Sequence, residues 1–331
     1  MIKPKVLILS SIEDIHATAV SDILNEMKVP VDLFNYADYV EHCQSSFTLS
    51  NLDQQCTFKS RGHELDLLSY TAIWHRRPGR VRAGNFFESW ISEMVEHEAR
   101  AALEGIIRSL TCLWVNLPSN DFACTSKLWQ LKLAKEIGFK IPDTLITNEP
   151  DEVKRFFRDC NGEIIYKLIS DGARFNIPLA EVPNGLPTLA VREEDLPYLS
   201  QVSYSPHFFQ RYIQKEIELR VTVVGKVVFC NSIDSQSGSS KVDWRNDYSV
   251  GMEVYDLPED TRTKCLQLMT RLGLNYGAID LIVTTSGEIV FLEINSGGQY
   301  LWAETRTGLP ISQEMANLLS GKAQPLVHTS F

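Results

Sequence analysis

Residues 277–302 read GAIDLIVTTSGEIVFLEINSGGQYLW. The β-branched and apolar run 278–283 is broken only by Asp280. The run 289–294 is broken by Glu293 and followed at once by Asn295, and Ser286-Gly287 lies between the two. This pattern predicts two strands joined by a turn. Side chains alternate faces along a strand, so Glu293 and Asn295 share a face, and if the hairpin pairs as its turn suggests, Asp280 can face them from the neighbouring strand. Two carboxylates and an amide on one sheet face, with no His or Cys in the stretch, suit a hard divalent cation whose shell phosphate oxygens complete. Magnesium is the reading of the set; for Asp280 alone, a solvated strand end is an equal account.

A chain of 331 residues buries a large core and divides into two or three domains. Its hydrophobic content of 44% and charged content of 22% are those of a soluble globular protein. A net charge of −10 argues against a nucleic-acid surface. The seven cysteines form no CxxC pair and no cluster with histidines, which predicts reduced thiols in the cytoplasm. The start, MIKPKVLILSS, has too short an apolar run for a signal peptide, and no apolar stretch is long enough to span a membrane.

From the start, residues 5–10 predict a buried strand, 15–27 a helix and 31–34 a second strand, a β-α-β unit of a parallel sheet. Ser10-Ser11-Ile12-Glu13 is not the glycine-rich turn of a dinucleotide fold. Shorter strands and turns fill 44–70, and 72–75 is another strand. It runs into Trp74-His75-Arg76-Arg77-Pro78-Gly79-Arg80-Val81-Arg82, four arginines within seven residues of an acidic chain. Arginine forks suit carboxylates and phosphates, so the loop reads either as an anion or peptide contact or as a solvated basic loop. His75 beside them reads as packing or as an acid-base group. Asn85 is expected to cap a long helix to about residue 110, with Phe86, Phe87, Trp90, Met94, Ala101 and Ile106 on its buried side.

Residues 114–120 read as a crossing between domains. Thr125 or Ser126 caps a helix over 127–137 that stops at Gly138, setting Lys127 in a first turn that favours anions. A strand over 141–147, a helix from Pro150 to Cys160 and a strand over 163–169 follow. That last strand carries one basic residue, Lys167. A buried unpaired ammonium is costly, so Lys167 reads either as a phosphate contact or as an outward-facing residue. The loop from Ser170-Asp171-Gly172-Ala173 is flexible enough to close over a ligand. Residues 207–213 form a strand into a short turn, a hinge whose backbone can meet a nucleobase edge. A hairpin over 217–228 turns at Gly225-Lys226, with Glu218 and Arg220 on one face, and Asp243-Trp244-Arg245-Asn246 supplies another arginine.

This ordered set resembles the ATP-grasp family, over roughly residues 118–320. The resemblance implies an α/β (α+β) chain with an N-terminal pre-ATP-grasp α/β domain at 1–115. A central α+β subdomain follows at 116–205, and a C-terminal α+β subdomain with the magnesium site at 206–331. It also implies ATP and Mg2+ as cofactors. Lys127 and Lys167 take the places of phosphate-contacting lysines, and Gln210, Arg211, Tyr212 and Ile213 that of the adenine hinge. Arg220 and Arg245 are implied as phosphate-side arginines, and Asp280, Glu293 and Asn295 as metal ligands. Glu218 fills the place of the acid that pairs with the arginine. Within the family the chain looks most like the graspetide, microviridin-type macrocyclases, through Trp74-His75-Arg76-Arg77, IELRVTVVGK, Val242-Asp243-Trp244-Arg245, GLNYGAID and LPISQEMANLL. Relatives usually have proline where this chain has Ser296, and often glutamate where it has Gln299.

What this likeness implies is an enzyme that turns an Asp or Glu side chain of a ribosomal precursor peptide into an acyl phosphate. A Ser, Thr or Lys side chain of the same peptide then attacks and closes an ω-ester or ω-amide ring. Catalysis rests on Lys167, Arg220 and Arg245, and Arg76, Arg77 and Arg80 are candidates to receive acidic side chains of the peptide. A leader on the substrate and a homodimer are further implications; neither nucleic acid nor a membrane is an expected partner. Two other readings stand beside this one: a ligase adding an amino acid to a protein or small-molecule carboxylate, and a nucleotide-binding regulator without catalysis.

Overall fold

The computed structural model describes residues 3–84, 88–169, 188–238, 242 and 249–328. Strand β1 (Val6–Leu9) is buried along its whole length, as a central strand of a parallel sheet must be. It pairs in parallel with β2 (Val31–Phe34) on one side and β6 (Ala72–His75) on the other, and β6 pairs in parallel with β7 (Leu113–Val115). Helix α1 (Ile15–Glu26) makes the first crossover, its N-terminus capped by the Asp14 carboxylate, which accepts from the His16 N–H. Between β2 and β6 an antiparallel meander of β3 (Cys43–Leu49), β4 (Gln54–Ser60) and β5 (His63–Asp66) closes over the sheet through Cys56, Phe58 and Leu65.

Helix α2 (Ser89–Arg108) departs from expectation. Trp90 and Met94 are 61% and 53% exposed, Ala101 is exposed too, and the buried residues are Leu103, Ile106 and Ile107. A helix of 20 residues is about 30 Å long, whereas a strand of four residues spans about 13 Å. The N-terminal half of α2 therefore runs past the sheet. The expected cap at Asn85, with Phe86 and Phe87, lies outside the described residues. The crossing at 114–120 is more ordered than the sequence suggests: it contains β7 and then α3 (Pro118–Cys124), which opens on its proline.

Helix α4 (Lys127–Ile137) has Ser126 at its N-cap and ends on Gly138 at φ +98, a conformation that favours glycine. Strands β8 (Thr144–Thr147), β9 (Ile164–Lys167), β10 (Leu189–Val191) and β11 (His207–Arg211) form an antiparallel sheet in the order β10-β9-β11-β8. Helix α5 (Pro150–Asp159) and a 3-10 stretch over Glu193–Tyr204 cover it with Val153, Phe157, Leu199 and Val202.

The third sheet has the order β14-β13-β12-β15-β16 and carries Asp280, Glu293 and Asn295. Its strands are β12 (Lys215–Val224), β13 (Val227–Ile233), β14 (Met252–Val254), β15 (Tyr276–Thr284) and β16 (Ile289–Asn295). Leu219, Val221, Val223, Ile279 and Leu281 face α4 and α6 (Glu259–Leu272) in the main core, so by alternation Glu218, Arg220, Thr222 and Asp280 face the other way. A bulge in the β15–β16 pairing sets Asp280 opposite Glu293 but Leu281 opposite Phe291. The extra residue lets both Phe291 and Ile294 reach the core while Glu293 and Asn295 stay on the polar face. Helices α7 (Leu301–Thr307) and α8 (Ile311–Leu319) close the chain, and α8 packs on α1. Val6, Ile8, Val20 and Trp74 share one core with Tyr276, Tyr300, Ile311 and Met315, so the first and last parts of the chain are packed as one body. Among the described residues no helix is long and apolar enough to cross a membrane.

Candidate active site

Three adjacent strands place Arg220, Asp280 and Glu293 side by side: Arg220 is opposite Asp280 and Asp280 is opposite Glu293. Asn295 stands opposite Ala278, two residues along from Glu293 on the same face. Each carboxylate meets a cation. Arg220 Nη1 donates to Asp280 Oδ1 at 2.7 Å, and Lys127 Nζ donates to Glu293 Oε2 at 2.6 Å. Arg220 is 8% exposed; burial works against its charge, and the Asp280 carboxylate more than offsets this, holding its pKa above the usual arginine value. The Trp302 ring lies 5.6 Å from its guanidinium carbon.

Lys127 reaches Glu293 because α4 is tied to the backbone of β16. Gln130, one turn along α4 and 3% exposed, donates to the Ile294 carbonyl at 2.9 Å and accepts from the Ile294 N–H at 3.0 Å. It also donates to the Cys124 carbonyl. The residue between the two proposed ligands is thus pinned by one side-chain amide, which the sequence reading missed; the only local signal was its position three residues after Lys127.

The loop after Asn295 is held by its carbonyls. Asn116 Nδ2 donates to Ser296 O at 3.3 Å. Arg76 Nη1 donates to Gly297 O at 2.5 Å and to Gly298 O at 3.1 Å, and Arg77 Nη2 donates to Gly297 O at 3.1 Å. Tyr276 OH donates to Gly298 O at 2.7 Å, and Arg220 Nη2 to Gln299 O at 2.9 Å. Gly298 lies so close to Ala278 that a Cβ there would meet the alanine Cβ at 2.4 Å. Arg76 is 3% exposed, whereas Arg77 and Arg80 are exposed, so two of the three arginines proposed to meet a peptide have a surface to offer. His75 pairs through Nδ1 with Asp121 Oδ2 at 2.6 Å, and Asp121 Oδ1 accepts from Asn116.

In the central sheet Lys167 Nζ donates to Gln210 Oε1 at 3.1 Å, and Gln210 Nε2 donates to Thr144 Oγ1 at 3.1 Å. The segment expected to meet a nucleobase is partly committed to the fold: the Arg211 N–H goes to Asp143 O and the Tyr212 N–H to Glu163 O. The Arg211 side chain meets Asp143 at 2.9 Å, and Ile213 is half-buried beside them. Glu218 has a different partner from the one the resemblance implied. Lys215 Nζ donates to Glu218 Oε1 at 2.6 Å, while Arg220 takes Asp280. Burial raises the Glu218 pKa above the ordinary carboxylate value, with Lys215 opposing. Lys215 is itself buried; a lysine at the very start of a strand gave no sign of this in the sequence. Arg245 lies outside the described residues, as do Asp243, Trp244, Asn246 and the loop at 170–173.

Asp280, Glu293 and Asn295 offer oxygen alone, with two nearby cations to meet phosphate, so the donor set fits a magnesium–nucleotide pair rather than a soft metal.

Residues 5–121 match the MvdD pre-ATP grasp domain, and residues 124–319 match the RimK-like ATP-grasp domain. A RiPP-associated ATP-grasp ligase of Chryseobacterium gregarium, solved in complex with ADP and a leader and core peptide, is 31% identical at a TM-score of 0.90. The match covers 99% of this chain and 100% of that one. The macrocyclase MdnC of Microcystis aeruginosa MRC, bound with precursor peptide MdnA, is 29% identical at a TM-score of 0.84, covering 96% and 99%. A probable alpha-L-glutamate ligase of Teredinibacter turnerae is 24% identical over 203 residues, 60% of this chain. The human N-acetylaspartylglutamate synthase A is 21% identical over 64% of this chain. The chain spans 64% and 53% of the length of these two curated relatives. By both domain matches and by its likeness along the whole chain to a solved ligase, this protein belongs to the RimK-like ATP-grasp family of ligases and carries an MvdD-type pre-ATP-grasp domain.

Proposed function

We propose that the protein is an ADP-forming ligase that activates Asp or Glu side chains of a ribosomal precursor peptide as acyl phosphates and closes them into ω-ester or ω-amide macrocycles. The observation that carries this reading is the 31% identity over 99% of the chain to a ligase whose structure holds ADP with a leader and a core peptide. We take the protein to be a cytoplasmic homodimer with microviridin-type chemistry, divided at about residues 115 and 205.

In this reading Asp280, Glu293 and Asn295 would hold magnesium, which would supply positive charge against the phosphate oxygens. Lys127 and Lys167 supply fixed positive charge to the phosphates, and Arg220 supplies it where charge develops on the transferring group. The role of Arg245 rests on the resemblance alone. Gln210 to Ile213 receive the nucleobase; since the N–H groups of Arg211 and Tyr212 serve the fold, the Ile213 amide and neighbouring carbonyls are left to read its edge. Glu218, paired with Lys215, is assigned to the nucleotide site by the resemblance. Arg77 and Arg80 meet acidic side chains of the peptide. The attacking hydroxyl or amine belongs to the peptide, so the protein's task is orientation of two side chains on one molecule, a large part of the rate.

The test is incubation with ATP, magnesium and the precursor peptide encoded beside the protein, read by mass spectrometry. Loss of one water per ring is expected, abolished in Lys167→Ala and Glu293→Ala. The names of the curated relatives favour a second reading, addition of free glutamate to a carboxylate. A mass gain with free glutamate and no dehydration of the peptide would replace the first reading with this one.

A further inference from the structure

The parallel sheet has the order β2-β1-β6-β7, so its connections run in opposite directions from β1, and the ends of β1 and β6 flank a crevice where such sheets commonly bind ligands. Arg76, the first residue after β6, is buried at that end of the sheet. Its guanidinium is buried, lies 5.9 Å from the Trp74 ring and has the Asp14 carboxylate 3.3 Å from Nε. Asp14 is in turn fixed by Ser10 Oγ at 2.8 Å and the His16 N–H at 3.0 Å. From this anchored base Arg76 Nη1 reaches across to the carbonyls of Gly297 and Gly298, the second and third residues after Asn295. A buried guanidinium is expensive to maintain, and an apolar side chain would be buried there at lower cost. What the arginine adds is a rigid fork that fixes backbone oxygens in a glycine-rich loop with little preference of its own.

We propose that Arg76 is a positioning residue for the cation site: anchored by Asp14 in the N-terminal domain, it sets the conformation of the Gly297-Gly298 loop and hence the aim of Asn295 and Glu293. The inference rests on the proposed magnesium–nucleotide reading of those two residues. It also assigns Arg76 a role other than contact with the peptide. The clasp joins positions 221 and 222 residues apart, so the pre-ATP-grasp domain takes part in cation binding without supplying a ligand.

The test compares wild type with Arg76→Lys, which keeps the charge but loses the fork, and with Arg76→Met. Manganese binding in the presence of ADP is read by electron paramagnetic resonance, and amide exchange is followed over residues 295–300. Arg76→Lys should weaken manganese affinity about tenfold, leave ADP affinity without metal within about twofold, and speed exchange at Gly298, whose N–H donates to Asn295 O at 3.2 Å. Unchanged manganese affinity with unchanged exchange overturns the proposal, as does equal loss of ADP binding with and without metal. If Arg76→Met does not fold, Arg76→Lys decides alone. If wild type binds no manganese with ADP, it is the ligase reading that fails; faster exchange at Gly298 in Arg76→Lys still upholds the clasp, and unchanged exchange ends it.

Discussion

Lys127 at the start of α4 and Glu293 on β16, 166 positions apart, are joined Nζ to Oε2 at 2.6 Å. A proposed phosphate contact and a proposed metal ligand are therefore paired with one another. On the proposed reading a cation would compete with Lys127 for Glu293 and would free the lysine for the accompanying phosphates. A partly buried pair of this kind contributes about 1 kcal/mol, about fivefold in an equilibrium constant. Lys127→Met should accordingly bind manganese without nucleotide about fivefold more tightly than wild type, yet bind the magnesium–ADP pair about tenfold more weakly. Calorimetric titration of both ligands checks this, and weakening of both to the same degree would rule out the exchange.

Arg220 is buried, and its pairing with Asp280 is what makes that burial tolerable. Asp280→Asn should lower unfolding stability by about 3 kcal/mol, since it leaves a desolvated guanidinium without its counter-charge. The double variant Arg220→Met with Asp280→Leu should regain most of the loss while remaining inactive. Urea unfolding monitored by Trp fluorescence separates the two effects. A double variant as unstable as the single one would mean that packing, rather than charge, sets the penalty.

Gln130 satisfies both backbone groups of Ile294 with one amide. Gln130→Leu preserves volume but removes the partner of the buried Ile294 N–H, leaves the Ile294 carbonyl with only the weak Cys124 thiol donor and takes a donor from the Cys124 carbonyl, a loss of about 2 kcal/mol. Amide exchange at Ile294 should rise before any change is seen in β12, and cation affinity should fall with it. Stability and exchange like those of wild type would remove Gln130 from the support of the site.

His16 is a pH probe at the same junction. Burial lowers its pKa from 6.5 to about 3, and the Arg76 charge adds to the effect, so folded His16 is neutral at physiological pH. The unfolded chain binds a proton below pH 6.5 that the folded chain refuses until about pH 3. Stability therefore falls as the pH is lowered through that window, by up to about 1.4 kcal/mol per unit, and is level above it as far as this group is concerned. His16→Phe keeps an aromatic ring against Tyr300, whose centroid is 4.6 Å away, and removes the titration. Unfolding midpoints between pH 4 and pH 7 should slope less in the variant; parallel profiles would assign the acid sensitivity to other groups.

Much of this protein is written locally. The apolar runs of 5–10, 72–75, 278–283 and 289–294 announce strands, because burial and β-branching act residue by residue. The common face of Glu293 and Asn295 follows from strand geometry alone, and the stop of α4 at Gly138 from its left-handed backbone. Where expectation and structure part, the missing information is an external surface. Helical spacing marked Trp90 and Met94 as inward-facing, but spacing does not say whether a sheet lies beneath them.

The partners were decided by folding. Arg220 takes Asp280 across two strands, whereas Glu218 takes Lys215 from its own strand, three residues back across the register shift between Lys215 and Ile217. Arg76 stands in a run of arginines that looks alike from end to end, yet it alone of Arg76, Arg77 and Arg80 is buried. Only the approach of two domains distinguishes it. Which oxygen atoms share one face of the hairpin could be read from the residues alone, since a strand's period is intrinsic to its backbone. The tertiary structure alone decided what holds them there, because Lys127, Gln130 and Arg76 reach that hairpin across more than 160 residues of chain, and such contacts depend on how whole elements pack.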